Sequence, residues 1–538
     1  MRARLWLTLV MFLAGAGLLA TAGLAGHAQK KGGTLRIGTI VDPGTMDTGI
    51  GADPDLEFAT CAKLFNYPDK PAPEGTRVIP EVAKRFPAVS RDGKTQTIEL
   101  RRSYRFHNGA RITAASFIAA LNRDASPKLQ SFATQYMHEI VGADAAIDGK
   151  AESISGLRAR GPYTLEIRTT RPLADLPARL AIGAFCPVAP GTPPSEVRAP
   201  LGSGPYYVAS YVPNRQVVLE RNRFYRGPRP ANVDRVVRTI GVAPEACRAA
   251  VERDELDYCY PGIPVAASRD TADRYGINKG RFFFNPTLST FFFAFNHDRP
   301  AFKGVGQIPL KQAINWAIDR PALVRTVGFL GGRRTDHILP PAFGPKANIY
   351  PLGGASERNL TRARALLAKA RLKPDKLVLY AIGAGPNVPE AQVFQFDLRR
   401  LGIDVEIKYF PPATLFEKAG TRGEPFDVIL AGWNLDYADP ISFFGPMLNG
   451  TTIGKTGNLN LAYFDRSKYN REIARIDRLT GEARRRAWAA LDADMMRNDP
   501  PWAPFMNGAS GMFVSKSLGC FVFQPVAAFV DIAAVCKK

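Results

Sequence analysis

The sequence predicts an α/β protein built from more than one domain, and three observations carry this prediction. At 538 residues, the chain is long for a single hydrophobic core, so we expect two or three domains. Residues 33–200 show mostly the alternating apolar and polar pattern of half-buried strands, separated by turns. Beyond about residue 294, strand and helix patterns alternate, which is typical of a sheet with helices on its faces.

The first 28 residues predict a secretory signal peptide. "MRARLWLTLVMFLAGAGLLATAGLAGHA" places Arg2 and Arg4 before an apolar run from Leu5 to Ala20, and small residues lead to a cut after Ala28. An uncleaved membrane anchor is the alternative, but the run is shorter than the roughly 20 residues that a spanning helix needs. No second long apolar run follows. We therefore expect an exported, soluble mature chain without a lipid anchor.

The composition is that of an ordinary globular protein with a strongly basic charge. Lys and Arg number 71 against 49 Asp and Glu, which leaves a net charge of +22. The densest basic cluster, "ARRRAW" at residues 483–488, lies on a helical pattern with Leu479, Leu491 and Met495. We interpret it as the solvated face of a helix, and we expect no nucleic-acid partner. The net positive charge provides only a weak electrostatic attraction to anionic membranes or acidic ligands.

Six cysteines in an exported chain are typical of disulfide bonds. Cys247 and Cys259 flank a short segment, and Cys520 and Cys536 bracket the last apolar run, so these two local pairs are predicted. Cys61 and Cys186 remain. Buried thiols stay an alternative for some of the six.

The first half of the chain predicts a β-rich, α+β domain. "TQTIEL" and "YTLEIRTT" alternate apolar and polar residues as strands do, and "HNG" marks a turn. Thr113 is a suitable N-cap for a helix over residues 114–124. "YYVASYVPNRQVVLERN" predicts a hairpin that turns at Pro213 and Asn214.

The second half predicts a parallel sheet. Helix patterns at residues 308–319, 360–370, 389–402 and 412–420 alternate with strand patterns at 376–382, 404–410 and 426–433. Such βαβ units imply right-handed crossovers. The aromatic runs between Phe282 and Asn296 lack interleaved polar residues, so we interpret them as a core strand rather than a ligand cage.

The sequence does not favour catalysis. Asp436 and Asp439 in "FDVILAGWNLDYADP" are three residues apart on one loop and cannot easily face each other across a glycosidic bond. The nucleophile elbow G-x-S-x-G of serine hydrolases does not occur. We expect no enzyme and no catalytic residue. A secreted hydrolase with a distant partner acid is the less favoured alternative.

No metal site and no cofactor are predicted. The histidines lack the i, i+3 or i+4 spacing of metal ligands, and "DYADP" is no EF-hand loop. A metal inside an organic chelate, carried as cargo, would leave no such pattern. The histidines are His27, His107, His138, His297 and His337.

A binding role fits the stretch around Asp436 best. The strand before it ends where ligands bind in open α/β sheets, beyond the carboxyl ends of the strands. Trp433 supplies a flat apolar wall, and a carboxylate in a dry cleft requires a cationic partner. We therefore predict that Asp436 meets a ligand. For Asp439, one residue before Pro440, capping of the next helix is the favoured interpretation.

Segments along the whole mature chain resemble one protein family. In chain order they are "VIPEVAKRFPAVSRDGKTQTIELRRSYRFHNGARITAASFIAAL", "LGSGPYYV", "VVLERNRFYRGPRPANVDRV", "DELDY", "FFFAFNHDRPAF", "LKQAINWAIDRPALVRTVGFLGG" and "FDVILAGWNLDYADP". Together they are similar to the extracytoplasmic solute-binding proteins of ABC importers, in the dipeptide- and oligopeptide-binding cluster, family 5. The resemblance implies a two-lobed periplasmic-binding-protein fold of the cluster C type, with an extra α+β subdomain in lobe 1.

The resemblance also implies the site residues. In the peptide binders, the aspartate of the W-x-x-D-Y pattern pairs with the α-ammonium of the ligand, and that position is Asp436. We expect Trp433 to pack along the ligand and backbone groups around Asn434 and Tyr437 to hydrogen-bond with it.

The chain departs from the family pattern near its start. The usual Leu-Asp-Pro is replaced by Met46, Asp47 and Thr48, and the following "GIGADPDLEF" carries additional acids. Asp53 is therefore predicted as a ligand-binding residue, with a place at the rim of the cleft as the alternative, and the same choice applies to Asp55.

The domain boundaries follow from the change of pattern near Phe295 and the return of the chain at "PWAPFMNG". We predict a signal peptide over residues 1–28, lobe 1 over 29–68, 201–294 and 508–538, its subdomain over 69–200, and lobe 2 over 295–507. Two strands that cross between the lobes would act as a hinge.

The expected function is the capture of peptides or similar small cationic or zwitterionic solutes between closing lobes. The resemblance implies a monomer in the periplasm that delivers its ligand to an ABC permease and ATPase complex in the membrane. Metal chelates, opines and sugars remain alternative cargoes, because the fold alone does not determine the ligand.

Overall fold

The structure is a computed structural model that describes residues 31–51, 53–345, 347–350 and 358–538. The predicted signal peptide and its cut after Ala28 lie outside these residues. Among the helices of the described ranges, none has the length and apolar character that crossing a membrane requires.

The strands and helices up to residue 275 form the part of the chain that the sequence predicted to be β-rich. In chain order they are β1 (Thr34–Thr39), α1 (Pro54–Thr60), β2 (Phe65–Asn66), β3 (Ile79–Pro80), β4 (Ala88–Val89), β5 (Thr95–Glu99), α2 (Ala114–Ala125), α3 (Ala143–Ile147), β6 (Leu157–Ala159), β7 (Thr164–Arg168), α4 (Leu176–Arg179), β8 (Tyr206–Val212), β9 (Gln216–Arg221), β10 (Arg235–Ile240), α5 (Pro244–Glu252), β11 (Tyr258–Tyr260) and α6 (Ser268–Tyr275).

The elements after residue 281 include the predicted alternation of strands and helices. In chain order they are β12 (Phe282–Phe295), α7 (Ile308–Ala317), α8 (Arg320–Thr326), β13 (Gly332–Arg334), α9 (Leu360–Leu367), β14 (Lys376–Ile382), α10 (Asn387–Arg399), β15 (Asp404–Phe410), α11 (Pro412–Ala419), β16 (Val428–Asn434), α12 (Ile441–Leu448), α13 (Ser467–Asp477), α14 (Gly481–Asn498), β17 (Trp502–Phe513), β18 (Leu518–Gly519), β19 (Phe523–Gln524), β20 (Phe529–Val530) and β21 (Cys536–Lys537).

An N-terminal sheet has the strand order β11-β1-β10-β9-β8. β1 runs parallel to both β10 and β11, whereas β9 is antiparallel to its two neighbours. The predicted hairpin is confirmed, because β8 and β9 are joined through Asn214, whose φ of 58° suits the left-handed region that Asn tolerates. Leu35 and Ile37 of this sheet share a core with Ile532 and Val535 from the end of the chain.

A small sheet with the order β4-β5-β7-β6 packs with α2 on a separate core. The predicted N-cap at Thr113 is confirmed by a capping box in which Thr113 and Ser116 satisfy each other's backbone amides. The core also contains Leu64 and Phe65, which precede the predicted subdomain boundary at residue 69. The boundaries of the subdomain therefore stay a prediction.

A large sheet has the order β13-β17-β12-β16-β14-β15. β14 is parallel to β15 and β16, as the βαβ pattern predicts. The other half of the sheet lies outside the predicted βαβ units and is antiparallel: β12 is antiparallel to both β16 and β17, and β13 is antiparallel to β17. The sheet is mixed since β12 and β17 enter from outside the βαβ units.

β12 and β17 connect the N-terminal and large sheets. Their pairing shifts register between Pro286 and Thr290, and just beyond the end of β17, Val514 bridges to Tyr258 of the N-terminal sheet. The predicted lobe boundaries at residues 294 and 508 fall within these two strands, so the exact division into lobes stays a prediction. The interpretation of the aromatic run as a core strand is confirmed by the burial of Phe292 and Phe293.

All six cysteines lie in pairs at disulfide distance. The two local pairs, Cys247–Cys259 and Cys520–Cys536, are confirmed, with Sγ–Sγ distances of 2.13 and 2.09 Å. The remaining pair, Cys61–Cys186, has a distance of 1.94 Å and joins the segment after α1 to the segment before β8.

Candidate ligand-binding site

The loop over residues 435–439 follows the carboxyl end of β16 and is held on both sides. The amide of Leu435 donates to the carbonyl of Leu288 on β12 at 3.1 Å. The amide of Ala438 donates to the hydroxyl of Tyr67, which belongs to the small-sheet region, at 3.0 Å. These contacts place the loop between the large sheet and the small sheet, where the strand pattern predicted a ligand.

A cavity of about 490 Å³ opens beside this loop. The cavity lies between the small-sheet region and the helices that follow β16. Its walls therefore come from parts of the chain that are far apart in sequence. The polar and aromatic side chains around it are Gln135, Tyr136, Glu139, Arg171, Arg179, Trp433, Asp436, Tyr437, Ser442, Asn449, Thr451, Thr452, Asp477 and Arg478.

Asp436 is half-buried and lines this cavity. Burial raises the pKa of its carboxyl to about 7, and a hydrogen bond with the Tyr136 hydroxyl opposes that rise. Within the described ranges, no Lys, Arg or His forms an ion pair with it. A carboxylate in this setting is costly to ionise unless a cation joins it. The cavity therefore offers a site for a positively charged group.

Trp433 forms a wall beside Asp436. Its Nε1 donates to the carbonyl of Ser442 at 3.1 Å, which fixes the orientation of the indole. Trp433 also lines a second cavity, where Asn434 is found. Asn434 is exposed and does not line the cavity of Asp436.

Tyr437 lines the cavity, but its hydroxyl forms a hydrogen bond within the protein. The side chain is 4% exposed, and the hydroxyl donates to Oδ2 of Asp175 at 2.7 Å. Asp175 also accepts from Nε of Arg179 at 2.8 Å. Burial raises the pKa of Tyr437 well above its ordinary value. The hydrogen bond from the Tyr437 hydroxyl to Asp175 thus links the loop to the small-sheet region.

Asp439 has a structural role at the start of α12, where capping was predicted, although Pro440 is the N-cap residue and Asp439 precedes it. Its Oδ1 accepts from the amide of Ile441, the first residue of α12, at 3.0 Å. Nε and Nη2 of Arg484 donate to its two oxygens at 2.8 and 2.9 Å. Bidentate pairs of this kind hold a carboxylate in one orientation.

The structure does not bring Asp53 to this cavity. Asp53 and Asp55 flank the buried guanidinium of Arg238, at Nη2–Oδ2 2.6 Å and Nη1–Oδ1 3.0 Å. Arg238 is fully buried, and both carboxylates contact its guanidinium. This pairing was not predictable from the sequence, because Arg238 follows the alternating pattern of an ordinary strand.

Sequence reasoning also missed an ion-pair cluster that joins the small-sheet region to α13. Arg171 contacts Asp477 at 2.5 Å and Glu139 at 2.7 Å, and Arg179 contacts Glu139 at 2.7 Å. These residues come from distant segments without a shared motif. In the described ranges, no group of His, Cys, Asp or Glu has an arrangement that could hold a metal ion.

The geometry is that of an α/β protein with a cavity between two parts of its chain. The comparisons with known proteins agree. The family model of the bacterial extracellular solute-binding proteins, family 5, matches residues 77–455. The chain belongs to this family, whose members bind solutes and are not enzymes.

The relatives show how much of the chain the likeness covers. The periplasmic oligopeptide-binding protein OppA of Escherichia coli K12 is 24% identical over 457 residues, 80% of this chain and 79% of OppA. The probable D,D-dipeptide-binding periplasmic protein DdpA of the same organism is 23% identical over 528 residues, 95% of each chain.

Solved structures show the fold. The clavulanic acid biosynthesis oligopeptide binding protein 2 superposes with a TM-score of 0.84 at 25% identity, covering 95% of this chain and 96% of that one. The unliganded open form of the murein tripeptide binding protein MppA gives a TM-score of 0.77 at 23% identity, covering 95% and 98%. The predicted fold class, a two-lobed periplasmic-binding-protein fold, is confirmed.

Proposed function

We propose that this chain is the substrate-binding component of an ABC importer, and that it captures peptides or similar solutes with a free ammonium group. The observation that carries the proposal is the Asp436 carboxyl, half-buried against a cavity of about 490 Å³ and without an ionic partner among the described residues. The names of the relatives support a peptide as the cargo, since OppA and DdpA are an oligopeptide- and a probable dipeptide-binding protein.

In the proposed complex, the ligand ammonium occupies the cavity beside Asp436. Closure of lobe 1 and lobe 2 removes water, so the carboxylate interacts more strongly with a cation than it would in solution. Trp433 packs along the adjoining part of the ligand. Backbone groups around Asn434 and Tyr437 supply hydrogen bonds that do not depend on the ligand's side chains. Asp53 is not part of this site, because Arg238 holds it.

Delivery to a membrane permease and its ATPase follows from the family and is part of the proposal. So is a periplasmic location, which the relatives' names and the N-terminal 28 residues support. We propose that the protein acts as a monomer, with β12 and β17 as the hinge between the lobes.

The test compares two ligands that differ only in the ammonium. Calorimetry with the mature protein should show binding of trialanine and binding at least about tenfold weaker of N-acetyl-trialanine, because acetylation removes the charge that Asp436 pairs with. The peptide should be recovered uncleaved. Equal affinity for the two peptides would reject the ammonium site, and cleavage would favour a hydrolase. Mass spectrometry of material that copurifies with the protein would identify the natural ligand.

A further inference from the structure

A second cavity, of about 470 Å³, lies beside the carboxyl ends of β14 and β16 and the middle of β12 and β17 in the large sheet. Trp433 lies between it and the cavity of Asp436, since this residue lines both. Its walls are largely apolar, with polar groups at a few points. The apolar side chains in the lining are Phe291, Val327, Ile382, Phe416, Leu430 and Met506. The polar side chains are Thr287, Ser289, Asn387, Glu390 and Asn434.

Glu390 is the only ionisable side chain among the described residues that line this second cavity. It lies in the first turn of α10 and is 1% exposed. Its hydrogen-bond partners are neutral: Nδ2 of Asn387 donates to Oε2 at 3.2 Å, and the hydroxyl of Thr326 interacts with the same carboxyl. Within the described ranges, no Lys, Arg or His forms an ion pair with it.

The surroundings of Glu390 repeat those of Asp436. Burial raises the pKa of the Glu390 carboxyl to about 8, and the hydrogen bonds to Asn387 and Thr326 offset only part of the rise. Glutamate is rarely buried without a cationic partner. Asp439, a structural acid next to the cavity of Asp436, has such a partner in Arg484. Glu390 lines the second cavity and has no cationic partner among the described residues.

We propose that Glu390 is the anchor of a second subsite, which takes a basic group on an aliphatic stem, such as the side chain of a Lys or Arg residue of the ligand. The proposal rests on the proposed function and names its substrate class: peptides that carry a basic side chain as well as a free amino terminus. The apolar walls suit the methylene stem, which Lys and Arg bury while the charged end stays with a polar partner. The Glu390 carboxylate then pairs with the charged end.

The two subsites differ in what they recognise. Every peptide with a free amino terminus has the group that Asp436 binds, so that subsite does not discriminate between sequences. Glu390 would respond to one side chain only. Because a neutral side chain leaves its carboxyl without a cation, the second subsite confers a preference for basic peptides.

The experiment uses three pairs of tripeptides in which alanine is replaced at one position by lysine or by norleucine. Norleucine has the same four-carbon stem as lysine but no ammonium. Calorimetry at pH 8 should show, at one of the three positions, a lysine peptide that binds about ten- to hundredfold tighter than its norleucine partner. In Glu390→Gln, this preference should disappear while the affinity for the norleucine peptides stays unchanged.

Glu417→Gln is the matched control, because Glu417 is an exposed acid on α11 of the same lobe and does not line the cavity. It should keep the lysine preference. The inference is overturned if the wild type binds lysine and norleucine peptides alike at all three positions. It is also overturned if Glu390→Gln weakens both members of a pair equally, which would indicate a structural role. If none of the six peptides binds the wild type, the proposed peptide function itself fails.

Discussion

Asp436 and Asp439 lie on one loop, yet the fold gives their carboxylates opposite surroundings. Asp439 accepts two hydrogen bonds from Arg484 and one from the amide that begins α12. Asp436 faces a cavity, with the Tyr136 hydroxyl as its partner. An acid whose charge is matched inside the protein stabilises the fold, whereas an acid without a cation leaves its charge for a ligand to match.

The same contrast separates other regions of the molecule. Asp53 and Asp55 both pair with the buried Arg238 of β10, so the charges of these acids are matched inside the protein although they lie in a segment expected at the cleft. Glu390 faces the second cavity with neutral partners. Burial alone therefore does not distinguish a structural acid from a binding acid. Among these acids, the structural ones have a cationic partner, and the two that face cavities have none among the described residues.

The largest expected effect is on the free energy of unfolding, and it concerns Asp439, whose charge is matched by Arg484. Arg484→Ala leaves Asp439 and Asp477 without their shared guanidinium. We expect the free energy of unfolding to fall by about 3–5 kcal/mol, as measured by denaturant titration. Arg485→Ala is the control, since Arg485 pairs with Glu482 on an exposed face of the same helix. It should change the free energy of unfolding far less. Equal losses in the two variants would remove the basis for calling Asp439 structural.

The second prediction concerns the affinity for a ligand at Asp436. Asp436→Asn keeps the shape of the side chain and removes its charge, so the ligand ammonium loses one charge-assisted hydrogen bond of roughly 1.5–3 kcal/mol. We expect the Kd for trialanine, measured by calorimetry, to rise about ten- to hundredfold. Asp375→Asn, at an exposed acid of the same lobe, should bind as the wild type does. If Asp436→Asn binds equally well, an anionic or neutral cargo becomes the better proposal.

The third prediction uses pH. Burial raises the pKa of Asp436 in the free protein to about 7, so the carboxyl takes up a proton and loses its charge as the pH falls below that value. The Kd for trialanine should therefore rise by about tenfold for each pH unit between 7 and 5, and it should change little between 7 and 7.5. Asp436→Asn should show no such slope. A wild-type Kd that is constant over this range would contradict the assignment.

The smallest effect is a gain in stability. Because the folded-state pKa of Asp436 lies above its ordinary value of 3.8, the folded protein holds a proton that the unfolded chain has lost between about pH 4 and 7. The free energy of unfolding therefore falls as the pH rises through this window. Asp436→Asn avoids that loss, so at pH 8 it should exceed the wild type by about 1–2 kcal/mol, a figure reduced for partial exposure.

Thermal or denaturant unfolding of the ligand-free protein at pH 8 and pH 4 checks this. The two proteins should converge near pH 4, where the carboxyl is protonated in the folded state. A variant less stable than the wild type at pH 8 would show that Asp436 stabilises the fold after all, and the contrast with Asp439 would disappear.

Local elements of the fold were predictable from the sequence. The strands at Lys376–Ile382 and Asp404–Phe410 have the bounds that the pattern predicts, because alternation and helical periodicity depend on near neighbours. The cap at Thr113 and the hairpin at Asn214 follow for the same reason. The antiparallel pairing of β12 and β17 was not predicted, since a strand pattern does not reveal which strand lies beside it.

The position of Asp436 was predictable, but the partners of the acids were not. That Asp436 follows a strand of a βαβ unit is visible in the chain, and so is the capping position of Asp439. Tyr136, Arg171 and Glu390 carry no local signal, because each acquires its role from segments that are distant in the sequence. Asp53 was assigned to the ligand for the same reason: its partner Arg238 lies on another strand.

The sequence by itself determined the class of the fold, the family, the two local cysteine pairs and the loop that meets the cavity. These depend on periodicity, turn residues and motifs that are read from neighbouring positions. Only the tertiary structure decided which carboxylates are matched by guanidinium groups and which face open space. Charge compensation acts through space over a few ångströms, and chain folding brings together residues that no sequence spacing relates.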